Sequence, residues 1–198
     1  MWKIGVTGSI ATGKSTLLEA FERQGIPTFS ADQAVADLYA DEAVEPVEKL
    51  FPGVAHAGVI DRAELAARLA ADPSGFARLE AVVHPLVRQR IADFLARCAA
   101  AGHFAVAVEV PLLFESGHDY GFDAIAVTHV DPAIQRQRLM ARPGMTVEKR
   151  DSLLARQWPQ AEKMARATYL FDTGRPRQEI EARVAALVAG IRATGGKP

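Results

Sequence analysis

The sequence predicts an α/β fold, a doubly wound, parallel five-stranded sheet, and three observations carry that expectation. Short apolar runs alternate with segments of helical period. Residues from about 36 to about 100 carry almost no strand signal and predict a mostly helical lobe. The first apolar run leads through a glycine-bearing loop directly into a helix.

Taken in order, Trp2-Lys3-Ile4-Gly5-Val6-Thr7 is short and mostly apolar, as a buried strand is. Between Ser15 and Gln24, Leu17, Leu18 and Phe21 recur at helical spacing. Pro27-Thr28-Phe29 is the second strand, ending at Ser30-Ala31-Asp32; a helix can begin at Asp32, before Ala34, Val35, Leu38 and Tyr39. Residues 41–60 hold Pro46, Pro52, Gly53 and Gly58 and read as irregular. Asp61 and Glu64 are spaced as a capping box at the start of a helix. The helical stretch over 74–101 is expected to kink or restart at His84-Pro85.

Phe104 to Val110 is a continuous apolar run, typical of a strand covered on both faces. Ala124 to Val130 is the next, meeting Asp131-Pro132, an N-cap followed by a favoured first helical residue. Thr146 is expected to open a helix running through Leu153, Leu154 and Trp158. Tyr169-Leu170-Phe171 is the last strand. Ile180, Val184, Leu187, Val188 and Ile191 then form the apolar face of a terminal helix.

With 198 residues, 49% hydrophobic and 24% charged, the composition is that of a globular chain able to bury a sizeable core. A net charge of −1 supplies no global field for nucleic acid, so any anion site must be local. Cys98 is the single cysteine; it excludes an intramolecular disulfide and reads as a buried structural thiol. There is no charged leader before an apolar segment and no run of membrane-spanning length, so the expectation is a cytoplasmic protein without a membrane partner. The chain contains no Asn, which excludes a guanine-recognising N-K-x-D motif.

Residues 8 to 16, Gly8-Ser9-Ile10-Ala11-Thr12-Gly13-Lys14-Ser15-Thr16, fit the phosphate-cradling pattern G-x-x-x-x-G-K-[ST] at every required position. Glycines let successive N–H groups converge on phosphate oxygens, Lys14 reaches the β- and γ-phosphates, and the Ser15 hydroxyl ligates Mg²⁺. The strand before the loop and the helix after it place the phosphates at a positive helix N-terminus. A nucleoside triphosphate with Mg²⁺ is therefore the expected ligand, bound by Gly8, Ala11, Thr12, Gly13, Lys14, Ser15 and Thr16.

Further residues bear on what becomes of the triphosphate. Asp32 follows the second strand and can orient an acceptor hydroxyl, or simply cap a helix. Arg138 and Arg142 stand four apart and are expected on one helix face, either stabilising a transferring phosphoryl group or forming a solvated basic face. Pro143-Gly144 supplies a hinge. Glu109, near the end of its strand, can hold a Mg²⁺-bound water or contact solvent or an arginine. His84 reads as a cap of the helix that Pro85 begins, and Met140, Met145 and Met164 as packing residues.

The opening I-G-V-T-G-S-I-A-T-G-K-S-T, Ala31-Asp32, His84-Pro85, P-L-L-F-E at 111–115, Gln135-x-x-Arg138-Leu139-x-x-Arg142, Gln157 and Asp172 together resemble dephospho-coenzyme A kinases over nearly the whole chain. The resemblance implies a P-loop kinase fold and ATP-dependent phosphorylation of the ribose 3′-hydroxyl of dephospho-coenzyme A, the last step of coenzyme A synthesis. It implies a single domain with a core of residues 1–35 and 102–198, a helical substrate lobe over about 36–101 and a lid over about 138–150. Lys14 and Ser15 would hold phosphates and Mg²⁺, Asp32 would serve the 3′-hydroxyl, and Arg138 and Arg142 would reach ATP from the lid. The expected assembly is a monomer or weak homo-oligomer. Ser9 and Ala11 replace glycines usual in the family, acceptable if the backbone there avoids positive φ. Ser30 replaces an aspartate, and Thr173 the asparagine of a late D-N-x-G. A nucleoside monophosphate or other small-metabolite kinase, and a nucleotide-dependent binding or switch protein that phosphorylates no small acceptor, are the competing readings.

Overall fold

The first strand of the chain is the middle strand of its sheet. In a computed structural model that describes residues 1–195, the elements are β1 (Trp2–Gly8), α1 (Lys14–Arg23), β2 (Thr28–Ser30), α2 (Ala31–Leu38), α3 (Val44–Leu50), β3 (Ala55–His56), β4 (Val59–Ile60) and α4 (Arg62–Ala71). There follow α5 (Gly75–Ala100), β5 (Ala105–Glu109), β6 (Ala124–His129), α6 (Pro132–Met140), α7 (Val147–Ala155), α8 (Gln160–Ala165), β7 (Tyr169–Asp172) and α9 (Arg177–Ala193). The main sheet has five strands in the order β2-β5-β1-β6-β7. β1 runs parallel to β5 and β6, and β6 parallel to β7. The predicted parallel α/β sheet is present.

The register explains why the loop after β1 is well supported. Val6 lies opposite Glu109 on one side, and Gly8 opposite Thr128 on the other, so three strands end around the phosphate-loop motif. All five residues of β5 are buried, as its continuous apolar run requires. Leu17, Leu18 and Phe21 of α1 share a core with Ile180, Val184, Val188 and Ile191 of α9 and with Ile4, Val6, Ala105, Ala107, Ala126 and Phe171 of the strands.

The chain divides into two compact units, Met1–Phe29 with the residues from Arg97 onward, and Ser30–Ala96. Asp32 falls in the second. That unit holds the main departures from expectation. Residues 41–60 are ordered into α3 and an antiparallel hairpin of β3 and β4. Pro46 is compatible with α3 because it sits in the first turn, where its missing N–H has no intrahelical acceptor. The hairpin turns through Ala57 and Gly58, both at positive φ (50° and 80°), the geometry of a two-residue turn usually marked by Asn-Gly.

α5 also runs on through His84-Pro85 without a break. Leu79, Val83, Val87, Ile91, Phe94 and Cys98 are buried along one stripe of it, whereas Pro85 and Ala81 are exposed. The hydrogen bond that proline removes is thus lost where water can replace it, and the buried stripe keeps the helix whole. His84 is consequently no cap. Asp61 does cap α4, accepting from Ala63 and Glu64 N–H, but Glu64 pairs with Arg68, leaving half of the expected capping box. Cys98 is buried, and burial pushes its thiol pKa up. Met140 is 40% exposed and does not pack as expected. In the first unit, α7 stops at Ala155 with Arg156 as its C-cap, short of Trp158, and α8 follows as a separate element after Pro159.

His84 is half-buried, and desolvation holds its pKa below the ordinary imidazole value, Glu80 raising it and Arg88 lowering it by smaller amounts. A depressed folded pKa means that the unfolded chain binds the proton first. Stability from this residue is therefore complete above about pH 6.5 and falls as the pH drops through the folded pKa. Urea unfolding between pH 5 and 8 should show wild type losing stability toward acid relative to His84→Gln, and parallel curves would contradict this.

Candidate active site

Gly8 ends β1 at φ 151°, and a Cβ there would lie 2.2 Å from Thr128 Oγ1 and 2.6 Å from its carbonyl, so only glycine fits. Ser9 to Thr12 then form a tight turn: the Thr12 N–H donates to Ser9 O at 3.2 Å and the Thr12 hydroxyl to the same oxygen at 2.7 Å. Gly13, at φ 81°, is the N-cap of α1, which has no side-chain cap and no acidic residue in its first turn. The positive end of the helix is left for an anion. Ser15 is exposed and Thr16 half-buried on that first turn.

Lys14 is nearly buried and lies back over the loop, its Nζ donating to Gly8 O at 3.2 Å and Ser9 O at 3.5 Å. Glu109, 6% exposed at the end of β5, brings Oε1 to 4.0 Å from that amine. Lys14 and Glu109, both singled out from sequence, are thus adjacent. A buried carboxylate beside a buried ammonium at a strand's carboxyl end is suited to a polyanion and its counter-cation.

Ala11 departs from expectation: its φ is 62°, in the left-handed region that its replacement of a family glycine was expected to avoid. The turn is held from outside. Gln157 Oε1 accepts from Ile10 N–H at 2.8 Å, and Gln135 Nε2 donates to Ile10 O at 2.7 Å. Gln135, on α6, is only 9% exposed.

Arg138 also meets the loop indirectly. Its Nη1 donates to Thr173 Oγ1 at 3.0 Å and its Nη2 to Thr173 O at 2.8 Å, while the Thr173 hydroxyl donates to Thr12 O at 2.8 Å. Arg142 lies elsewhere: α6 ends at Met140, Ala141 is its C-cap, and Arg142 follows as an exposed residue, so the two arginines do not share a helix face. Asp32 sits exposed in the first turn of α2, and the cap is Ser30, whose side chain accepts from Gln33 N–H. Its carboxylate is not consumed by capping.

A buried ion pair near the site escapes sequence reasoning. Lys163, with a fully buried side chain, donates to Pro111 O at 3.2 Å and lies 2.7 Å from Glu115 Oε1, which also accepts from Trp158 N–H at 2.8 Å. The E of P-L-L-F-E therefore anchors the segment carrying Gln157. Lys163 gave no signal of this because it sits in a short six-residue helix, and its partners Pro111 and Glu115 are distant in sequence.

The sequence model of a family described as dephospho-CoA kinase matches residues 2–177. The dephospho-CoA kinase of Rhizobium etli is 49% identical over 192 residues, covering 97% of this chain and 95% of that protein. Among solved structures, TT1252 from Thermus thermophilus is similar with a TM-score of 0.79 and 32% identity, covering 96% of this chain and 97% of that one. A dephospho-CoA kinase from Campylobacter jejuni, 24% identical with a TM-score of 0.66 and 96% coverage of both chains, shares the fold.

Proposed function

The chain belongs to the dephospho-CoA kinase family, and from that premise we infer how its own residues carry out the reaction. It is an ATP-dependent kinase of the final step of coenzyme A synthesis. The finer reading is that the γ-phosphoryl group of ATP goes to the ribose 3′-hydroxyl of dephospho-coenzyme A. The observation that carries it is the loop from Gly8 to Thr16, with Lys14 and Glu109 meeting beneath it and Arg138 joined to it through Thr173.

Phosphoryl transfer needs positioning and charge stabilisation more than covalent help from the protein. The α1 N-terminus receives the phosphates, and Lys14 exchanges its loop carbonyls for β- and γ-oxygens. Arg138 and Arg142 supply positive charge from a lid over about 138–150, which closes the site to water that would compete as acceptor. Asp32 accepts or orients the 3′-hydroxyl proton. The Ser15 hydroxyl and the Glu109 carboxylate are hard oxygen donors of the type Mg²⁺ takes alongside phosphates and water. Mg²⁺, when bound by these two residues, would neutralise charge on the triphosphate. Within this reading the helical lobe over about 36–101 receives the substrate. Among the described residues no helix is long and apolar enough to cross a membrane; a cytoplasmic monomer or weak homo-oligomer acting on a small molecule, with no nucleic acid, fits a metabolic kinase.

A coupled ADP-release assay tests the substrate. Turnover should require dephospho-coenzyme A; stimulation by AMP or shikimate in its place would overturn the reading.

A further inference from the structure

We propose that Gln135 and Gln157 are positioning residues for nucleotide binding, clamping the Ile10 peptides so that Ala11 is held in the left-handed conformation that shapes the phosphate loop. The inference rests on the reading of this loop as the ATP site. Ser9 to Thr12 form a turn with Ile10 and Ala11 as its central residues. In such a turn the orientation of the central peptide, whose oxygen is Ile10 O, decides the sign of φ at the next residue. Gln135 donates to that oxygen at 2.7 Å, and Gln157 accepts at 2.8 Å from the N–H on the other side of Ile10. One amide thus fixes the central peptide and the other fixes the peptide before it.

The need for a clamp comes from Ala11 itself. A glycine would adopt φ 62° without penalty, whereas an alanine disfavours it by about tenfold in population. Left alone, the turn would flip its central peptide, and the N–H groups would no longer converge on one anion. Gln135 is buried, and among the described residues its amide donates to no acceptor but Ile10 O, so that bond is its local task. The two glutamines stand on opposite sides of residues 138–150, one on α6 and one just after α7, so both stems of the proposed lid hold the same residue of the loop.

The experiment is a double-mutant cycle read by calorimetric ATP binding. Gln135→Leu should weaken ATP binding about tenfold, and Ala11→Gly should recover about fivefold or more of that loss, because glycine restores the left-handed turn without the clamp. Gln157→Leu, in a half-buried position, gives a second cycle with the same sign and keeps the test open if Gln135→Leu does not fold. Thermal melting alongside separates lost stability from lost affinity. Additive effects in the cycles, or ATP binding by Gln135→Leu equal to that of wild type, would overturn the proposal. Failure of the wild-type protein to bind ATP would instead sink the reading of the loop.

Discussion

Lys14→Ala is expected to lower kcat/KM for ATP by about 10²- to 10³-fold, the usual cost of removing one preorganised donor aimed at developing charge. Two losses combine. The triphosphate loses its nearest ammonium, and the Glu109 carboxylate, 4.0 Å from Nζ and buried, loses its nearby countercharge just where the polyanion must bind. Both act against nucleotide, so ATP affinity should weaken along with turnover. Calorimetry with ATP and steady-state kinetics check this together, and an unchanged dissociation constant would show that Lys14 does not meet the phosphates.

Asp32→Asn should separate chemistry from binding. A general base typically contributes 10²- to 10⁴-fold, so single-turnover transfer is expected to slow by about that much while ATP affinity stays close to wild type. Because Ser30 is the cap of α2, the substitution leaves the helix start intact; the lost charge near the N-terminus costs only about 0.3–1 kcal/mol. A slow variant that melts near the wild-type temperature supports the acceptor-side role. Wild-type turnover would remove Asp32 from the mechanism.

Much of the architecture was legible because the strands are short, apolar and bounded by turn residues, and the loop motif depends on local chemistry. Lys14, Ser15 and Glu109 could be placed from the order of strand, loop and helix alone. What stayed hidden depends on partners distant in sequence. Pro85 looks like a helix breaker until the buried stripe from Leu79 to Cys98 is seen, with proline on the opposite, exposed side. The Ala57-Gly58 turn lacks the asparagine that announces such hairpins. The four-residue spacing of Arg138 and Arg142 suggests one helix face, but spacing says nothing of where a helix stops, and α6 stops at Met140. Thr173, Gln135 and Gln157 acquire their bonds only when strand ends and helices converge on the loop.

The internal contacts of Lys14 bear on which anions the proposed site would favour. With its amine already on two loop carbonyls and near a carboxylate, an arriving anion gains only the difference between its own contact and those it displaces. A small monovalent ion offers one oxygen or two and gains little in that exchange. A triphosphate bound as proposed would span the helix start and the lysine at once, with several oxygens to replace the internal acceptors. On the proposed reading, selectivity against small anions would follow from this competition by the loop's own backbone.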